Sequence, residues 1–405
     1  MSDRVRATPW LVLGVVWLML GAVYGLFLSF TIFFVALIEE FRWSRGLTAG
    51  AFSLATVIQG VLSPGIGLLV DRIGPRRVIL AGLLLLSSAS MLASRIQSPW
   101  QLYVVVGVLV GIGVTAVGWV PTGALLARLF VRHRGRVMGL AFSGMGVGIL
   151  AFGPLAQWLI AQHGWRQAYL ILGGGTLLCL GPLLWFGVSE GASQASPAKG
   201  PPVPQAAGPG VLAALSMRQF WGLFLAYFFT PLAVFPVFTH QVAFAVDLGY
   251  PRMFVAGIFG LTGFMSSLGR ILFGTVSDWI GRESAATLSF ACTATGIGAL
   301  ILLETWPHPG WLYAYALLFG LGFGARGPII TAMAAELFAG RRFGLLYGIM
   351  NLGNGLGGAI GPWFGGMVHD LTGSYRPAFL TAVGFCAVAS TCFWVARTRS
   401  RGERR

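Results

Sequence analysis

The sequence predicts an all-α membrane protein with twelve transmembrane helices in two pseudo-symmetric six-helix bundles. Hydrophobic residues make up 56% of the 405 residues and charged residues 10%, with a mean hydropathy of +0.79, which is too apolar for a water-soluble domain. Long apolar runs recur along the whole chain, and one loop motif occurs twice, 207 residues apart. Together these three observations predict two related membrane bundles.

Each apolar run has the length that a membrane helix needs, which is about 20 residues. Glycine and proline within the runs are ordinary in membrane helices, and the sequence lacks the short alternating segments typical of a β-barrel. The twelve expected spans cover residues 10–38, 46–70, 78–94, 101–127, 137–162, 167–188, 218–246, 253–274, 284–303, 311–335, 343–368 and 376–396.

The repeated motif has the form G-x-x-x-D-x-x-G, ends an apolar run and is followed by positive charge. Its acids are Asp71 in the first copy and Asp278 in the second. A further echo joins Arg166-Gln167-Ala168-Tyr169-Leu170 to Arg376-Pro377-Ala378-Phe379-Leu380 at nearly the same offset. Two like halves in a membrane chain predict a substrate site at the interface between them.

We expect the halves to be residues 1–188 and 218–405, the second of which ends in a basic tail. A cytoplasmic linker over residues 189–217 would join them. This stretch changes to serine, glycine and five prolines, a composition typical of a flexible to semi-extended segment.

The distribution of positive charge predicts the orientation. Nineteen of the 27 lysines and arginines fall on one side of the membrane if both termini are cytoplasmic. This bias predicts a multi-pass protein of the inner (plasma) membrane whose inward loops contact anionic lipids of the bilayer. The net charge of +15 does not indicate a nucleic-acid partner, because the sequence has no soluble domain that could carry an element for binding the groove of a nucleic acid.

No cofactor, metal site or enzymatic activity is expected. The four cysteines lie in expected helices without metal-ligand spacing, and we interpret them as packing residues. No nucleophile–base pair and no paired carboxylates occur within a span.

Arg270 is the strongest candidate for a binding residue. An arginine at the middle of a membrane helix costs about 2.5–3.5 kcal/mol, and no acid lies at the middle of any expected span. The natural partner is therefore an anionic ligand, and a guanidinium pairs well with a planar carboxylate. In the alternative, Arg270 reaches Asp278 or helix-end carbonyls, although eight residues of helix separate the two by about 12 Å.

Arg326 also lies within a span, in a glycine-rich tenth helix. Two interpretations are open. It adds a second positive group to the substrate site, or it bonds carbonyl groups freed by Pro328.

His240 is the only histidine inside an expected span, and its side chain titrates near neutral pH. We consider it as a proton-coupling residue. The alternative is a neutral histidine bonded within the bundle.

Several other side chains are candidates for the cavity wall. They come from the first, fourth, fifth, eighth and eleventh helices and would form a small, mostly apolar pocket around one cation. Such a pocket suits a short aliphatic monocarboxylate better than a sugar. The candidates are Tyr24, Leu28, Trp119, Met145, Ser266, Asn351 and Asn354.

The repeated acidic loops are candidates for gating. Their carboxylates can accept hydrogen bonds from neighbouring helix ends, and the nearby arginines can pair across the loop in one state and separate in the other. The alternative is that these charges only set topology. The residues concerned are Asp71, Arg72, Arg76, Arg77, Asp278 and Arg282.

These motifs resemble the major facilitator superfamily over essentially the whole chain. Within it, residues 129–134, Leu-Phe-Val-Arg-His-Arg, followed by Gly139, Ala141, Gly144 and Gly148, are similar to the fifth-helix signature of the monocarboxylate transporter branch. Arg270 lies where that branch carries its substrate-binding arginine. The resemblance implies that Arg270 pairs with the carboxylate of lactate or pyruvate and that a proton travels with it.

The chain departs from that branch at three places. Its first-helix signature is reduced to Trp10, Leu28 stands where many animal members have a lysine, and Ser266 replaces their aspartate one turn before the arginine. The proton relay of those relatives therefore does not transfer to this chain.

The sequence predicts a monomeric secondary active transporter that carries small monocarboxylates with protons by alternating access. A first alternative is an exchanger of small carboxylates of the oxalate and formate type, for which two membrane arginines would be natural. A drug or cation exporter is disfavoured because no membrane-embedded acid is available to bind a cation. A channel is disfavoured because no filter-like repeat is visible.

Overall fold

The computed structural model describes residues 9–130, 134–188, 210–338 and 343–397. Within these ranges the chain is helical and contains no strand. Ten described segments are long and apolar enough to cross a membrane. One of them, Arg136–Gly187, contains a break at Gly164 that divides it into two legs, and Phe343–Thr372 adds a further 30-residue helix. The twelve-helix membrane fold is thus confirmed.

The twelve membrane segments are labelled in chain order. They are α1 Pro9–Phe41, α2 Arg45–Ile73, α3 Pro75–Ala93, α4 Pro99–Leu129, α5 and α6 the two legs of Arg134–Gly187, α7 Arg218–Asp247, α8 Arg252–Ile280, α9 Arg282–Leu302, α10 Pro309–Phe338, α11 Phe343–Thr372 and α12 Arg376–Ala396. The expected spans match these segments to within a few residues. Of the predicted linker, residues 189–209 lie outside the described residues, and Val211–Leu215 form a short helix.

The sequence repeat has a backbone counterpart. The last glycine of each motif copy, Gly74 and Gly281, ends its helix with φ values of 86° and 88°. A positive φ is open to glycine at no steric cost, so the chain can reverse there and start the next helix at once. Gly164 and Gly373, just before the second echo in each half, have φ values of 78° and 73°. The two halves therefore share turn geometry as well as sequence.

The first contact between the halves joins α2 to α11, which run antiparallel. Near the beginning of α2, the hydroxyl of Ser53 accepts a hydrogen bond from the backbone N–H of Trp363 at 3.1 Å. Further along, a Cβ on Gly60 would lie 3.2 Å from the Cα of Gly355. Glycine at both positions lets the backbones meet, as is common between membrane helices.

The second contact joins α5 to α8. It begins where a Cβ on Gly153 would lie 2.8 Å from the ring of Phe259, and it ends where the Arg270 side chain reaches the carbonyl of Phe142. Small residues again permit the close approach.

The hydrogen bonds and ion pairs described beyond these points stay within one half. A Cβ on Gly65 of α2, Gly139 of α5, Gly274 of α8 or Gly348 of α11 would meet no described atom within 4 Å. The halves are thus packed together at the end of the bundle where α2 begins, which we call the Arg45 face. They diverge toward the end that carries the repeated loops, which we call the Asp71 face.

Candidate functional site

Arg270 lies at the point where α5 and α8 begin to separate. Its side chain is half-buried, and its NH1 group donates a 2.5 Å hydrogen bond to the carbonyl of Phe142 in the other half. Asp278 instead pairs with Arg282 at 2.6 Å, so the alternative partner considered for Arg270 is engaged elsewhere. No carboxylate among the described residues pairs with Arg270. Its remaining guanidinium N–H groups are available to a ligand.

Aromatic side chains from three helices surround this guanidinium. Trp119 packs on Phe142 with ring centroids 3.8 Å apart, and the hydroxyl of Tyr24 lies beside the neighbouring residue Gly118. Tyr24 is in turn close enough to Arg270 to interact with its charge. The structure therefore brings three predicted residues, Arg270, Tyr24 and Trp119, into one cluster.

The backbone of α4 explains how Trp119 reaches the cluster. Gly118 interrupts the helix with φ −67° and ψ −147°, and a new helical leg starts at Trp119. A Cβ on Gly118 would lie 3.0 Å from the Tyr24 hydroxyl oxygen, so this close approach favours glycine. Trp119 is 49% exposed.

The remaining predicted pocket residues lie at different distances from this cluster. Leu28 is buried at the bend of α1, and Met145 is buried one turn along α5 from Phe142. Ser266 is buried one turn before Arg270, but its hydroxyl donates to the carbonyl of Gly263 in its own helix at 2.7 Å. Its neighbour Ser267 makes the contact across the halves, to the carbonyl of Ser143 at 2.6 Å.

Phe142 and Ser267 were missed by sequence reasoning. Neither is charged or unusual within a membrane span, and only the pairing of α5 with α8 shows their role. Asn351 is half-buried and Asn354 is exposed on α11, at the level where α2 and α11 separate. The structure does not bond either asparagine to Arg270.

Arg326 is placed away from the cluster. It is 1% exposed and points between α9 and α10, where it donates to the hydroxyl of Thr293 and to the carbonyl of Ser289 at 3.3 Å. Its guanidinium also lies 4.2 Å from the ring centroid of Phe290. This geometry favours the interpretation in which Arg326 bonds polar groups of the bundle, although those groups belong to α9 and not to the turn before Pro328.

His240 lies deep in the packed end of the bundle. It is fully buried, and its Nε2 lies 2.9 Å from the carbonyl of Pro362, so Nε2 carries the proton and donates. Its Nδ1 has no partner among the described residues. The described helices extend past the expected spans and also include His163 at the end of α5 and His369 in the last turn of α11.

Where the partners of the predicted gating residues are described, they belong to the same half. Asp71 and Arg72 are exposed, and Arg76 donates to the carbonyl of Trp185 at 2.6 Å within the same half. In the other half, Arg282 bridges Asp278 and Glu336, both of that half. Arg77 makes further contacts, and residues 131–133 of the fifth-helix signature lie outside the described residues.

The ion pairs that the described residues make between the halves lie at the Arg45 face, which sequence reasoning did not single out. Arg45 pairs with Asp247 at 2.5 Å and bonds the hydroxyl of Tyr375 at 2.6 Å. Arg252 pairs with Glu39 at 2.6 Å. An open cavity of about 700 Å³ lies among these side chains and is lined by Val35, Ile38, Glu39, Arg42, Trp43, Arg45, Asp247, His369, Asp370 and Gly373.

Comparison with known proteins places this architecture in a family. The profile described as Major Facilitator Superfamily matches residues 16–330 and 287–405. Monocarboxylate transporter 13 of Bos taurus is 29% identical over 387 residues, which cover 94% of this chain and 87% of that protein. Monocarboxylate transporter 4 of Mus musculus is 30% identical over 387 residues, covering 92% and 80%.

A solved structure shows the same fold. It is described as a bacterial homolog to the human lysosomal transporter Spinster, in inward-facing and occupied conformation, and it aligns with a TM-score of 0.73 at 15% identity over 95% of this chain and 96% of that one. The chain therefore belongs to the major facilitator superfamily, is a multi-span membrane transporter rather than an enzyme, and is similar to the monocarboxylate transporters.

Proposed function

We propose that this transporter carries small monocarboxylates by alternating access and that Arg270 binds the substrate carboxylate. The observation that carries the proposal is a guanidinium at the junction of the two halves whose one hydrogen bond to the described residues goes to the Phe142 carbonyl. A charge in this position is costly unless something pairs with it, and a carboxylate offers two parallel hydrogen bonds. The names of the relatives support the same class of substrate.

The surroundings of Arg270 support a short substrate with one charged end. The tryptophan and tyrosine rings lie close to the guanidinium, and Leu28 and Met145 add apolar surface nearby. Such a pocket has few polar groups to bond the several hydroxyls of a sugar. No acid of the described chain faces the arginine, which also argues against a cationic drug as substrate.

We infer that transport is coupled to protons. A carboxylate that enters alone works against an inside-negative potential at about 2.3 kcal/mol per charge per 100 mV. A proton carried alongside removes that opposition and lets a pH gradient drive uptake. The proton would travel on the substrate, on water or on His240.

We orient the molecule with the Asp71 face and both termini in the cytoplasm of the cell, in the plasma (inner) membrane. This follows from the excess of basic residues on that side of the chain. In this orientation the halves are closed toward the outside, and the Arg270 site opens inward. The chain acts as a monomer, with one substrate pathway between its halves.

Uptake of radiolabelled lactate and pyruvate into proteoliposomes tests the proposal. Arg270→Ala should abolish uptake and Arg270→Lys should impair it, because an ammonium keeps the charge but loses the bidentate geometry. Arg376→Ala is the matched control, since that exposed arginine has only a 3.9 Å contact with Glu304. Normal uptake by correctly inserted Arg270→Ala protein would contradict the proposal.

The same liposomes separate symport from exchange. An imposed pH gradient, acidic outside, should drive accumulation by the wild-type protein. Uptake that ignores the gradient but needs a carboxylate on the opposite side would instead indicate an exchanger of the oxalate and formate type. The separation of Arg326 from Arg270 already removes one argument for that alternative.

A further inference from the structure

We propose that Arg45, Asp247 and Asp370 form a latch that holds the Arg45 face shut and must open before the Arg270 site can face that side. The inference rests on the proposed alternating access but not on the identity of the substrate. Arg45 belongs to α2 in the first half of the chain. Asp247 and Asp370 end α7 and α11 in the second half.

The side chain of Arg45 is one part of the latch. Its NH1 group lies 2.5 Å from the Asp247 carboxylate and 2.6 Å from the Tyr375 hydroxyl, and the guanidinium sits 5.2 Å from the centre of the Tyr375 ring. The Arg45 side chain is 18% exposed. Partial burial and a second bond make this pair stronger than an exposed ion pair.

The backbone of Arg45 is the other part. Asp370 accepts hydrogen bonds from the N–H groups of Arg45 at 2.9 Å and Gly46 at 2.8 Å, the first two residues of α2. The unpaired N–H groups at a helix start favour a carboxylate through both hydrogen bonding and the helix dipole. An acid of one half thus completes the cap of a helix in the other half.

Glycines make this capping possible. A Cβ on Gly46 would lie 3.1 Å from the Asp370 carboxylate, and a Cβ on Gly366 would lie 2.6 Å from the Arg45 carbonyl oxygen. Larger side chains at these positions would push α2 and α11 apart. The two helix backbones therefore touch directly beneath the charged groups.

The latch can also open without leaving its charged groups unpaired in an apolar environment. Asp247 is 42% exposed, and the cavity of about 700 Å³ borders Arg45, Asp247 and Asp370. When the halves separate, solvent can reach and hydrate each group, because this end is already partly exposed. A fully buried pair would pay its full desolvation penalty on formation, and its separation would be harder to reverse.

Two exposed ion pairs of the same length provide an internal comparison. Arg252 and Glu39 pair between the halves at 2.6 Å, whereas Arg166 and Glu40 pair within the first half at 2.6 Å. The side chains of all four are about equally exposed. Loss of Arg166 therefore reports the effect of a lost surface charge without the loss of a contact between the halves.

A cysteine behind the latch tests the proposal. Ser53 is 6% exposed and lies at the α2–α11 contact, so Ser53→Cys should react slowly with a charged maleimide while the Arg45 face is closed. The protein is labelled in nanodiscs without substrate, and the parent with its native cysteines supplies the background. Asp370→Asn and Arg45→Gln should each raise the Ser53→Cys labelling rate roughly tenfold, as expected when charge-assisted hydrogen bonds are lost.

The control and the folding state are read in the same experiment. Arg166→Gln should leave the rate unchanged. Cys386 is buried in the second half, so its labelling reports unfolding rather than opening. If one latch variant labels at Cys386, the other variant decides the outcome.

Unchanged Ser53→Cys labelling in a folded latch variant would overturn the proposal, as would an equal rise in Arg166→Gln. Should both latch variants unfold, the conservative Arg45→Lys decides, with a faster rate expected because lysine lacks the planar guanidinium that lies over the Tyr375 ring while it bonds Asp247. A rise in labelling without any monocarboxylate uptake would uphold the latch and reject the proposed substrate. The experiments can therefore reject the latch without rejecting monocarboxylate transport, and the reverse.

Discussion

The two ends of the bundle use their charges differently. At the Arg45 face, arginines of one half pair with acids of the other, as Arg45 does with Asp247 and Arg252 with Glu39. At the Asp71 face, the described ion pairs stay within a half, as in the bridge from Asp278 through Arg282 to Glu336. Among the described residues, the helices of the two halves thus pair across the junction at the Arg45 face and within their own half at the Asp71 face. The described ion pairs between the halves therefore lie at the end of the bundle where the halves are packed together.

The comparison also locates the candidate site. Arg270 lies at the boundary between the closed and open regions, where the last contact of α5 with α8 is its own bond to Phe142. A ligand that replaces this bond would act directly on the contact between the halves. Binding and conformational change can thus be coupled through one side chain.

His240 provides the largest expected effect at the closed end. If His240 carries the coupled proton, His240→Ala should lose accumulation driven by a pH gradient and retain counterflow exchange of substrate. The unpartnered Nδ1 is the atom that would accept the proton. Accumulation and counterflow are measured in the same proteoliposomes.

The comparison of the two assays decides the role of the histidine. Wild-type accumulation by His240→Ala would assign the proton to the substrate or to water. Loss of counterflow as well would indicate a packing role, since the ring also contacts Phe34 and Tyr375.

The open end should respond more moderately. Asp71→Asn and Asp278→Asn should slow transport several-fold, because their loops must come together when the Asp71 face closes. Equilibrium binding of substrate should change little, since neither residue lies near Arg270. Transport rates and binding affinities measured on the same preparations test this, and an equal loss in both would show that the loops act on the site itself.

An intermediate test asks whether the latch residues act together. In the Ser53→Cys background, the double variant Arg45→Gln with Asp247→Asn should label little faster than either single variant, because each removes the same ion pair. In the corresponding double-mutant cycle for Arg166 and Glu40, neither the single variants nor the double variant should change the Ser53→Cys labelling rate. Fully additive effects of Arg45 and Asp247 would show that they act independently.

The smallest effect is expected from the exposed pair between the halves. Arg252→Gln should raise Ser53→Cys labelling by no more than about fivefold, because exposed ion pairs contribute about 0–1 kcal/mol and salt weakens them. The labelling rate at low and high ionic strength measures this. A rise as large as that of Arg45→Gln would show that any pair between the halves holds the face closed.

Sequence reasoning recovered the parts that depend on composition and local pattern. The twelve spans follow from apolar length, and the motif glycines follow from the turns they make at Gly74 and Gly281. Arg270 could be singled out because a charge within a membrane helix is rare. The absence of an acid within any expected span pointed to an anionic ligand as its partner, and the resemblance to the monocarboxylate transporter branch implied the same role.

The rest depended on which way each helix faces and on contacts distant in sequence. Arg326 lies at a similar depth to Arg270, but its glycine-rich helix has no sequence asymmetry that shows the direction of the side chain. Arg45 and Asp370 are 325 residues apart, and only the register of α2 against α11 brings them together. Neither feature leaves a local signal in the sequence.

The central claim is that Arg270 binds the carboxylate of the substrate. Equilibrium binding of lactate and pyruvate to the purified protein tests it most directly, with Trp119 fluorescence as the signal because the indole lies in the cluster around Arg270. Loss of a charge-assisted hydrogen-bonded pair, about 1.5–3 kcal/mol, predicts binding that is roughly 10- to 150-fold weaker in Arg270→Ala and intermediate in Arg270→Lys. Arg376→Ala should bind like the wild type. Unchanged affinity in folded Arg270→Ala protein would contradict the account.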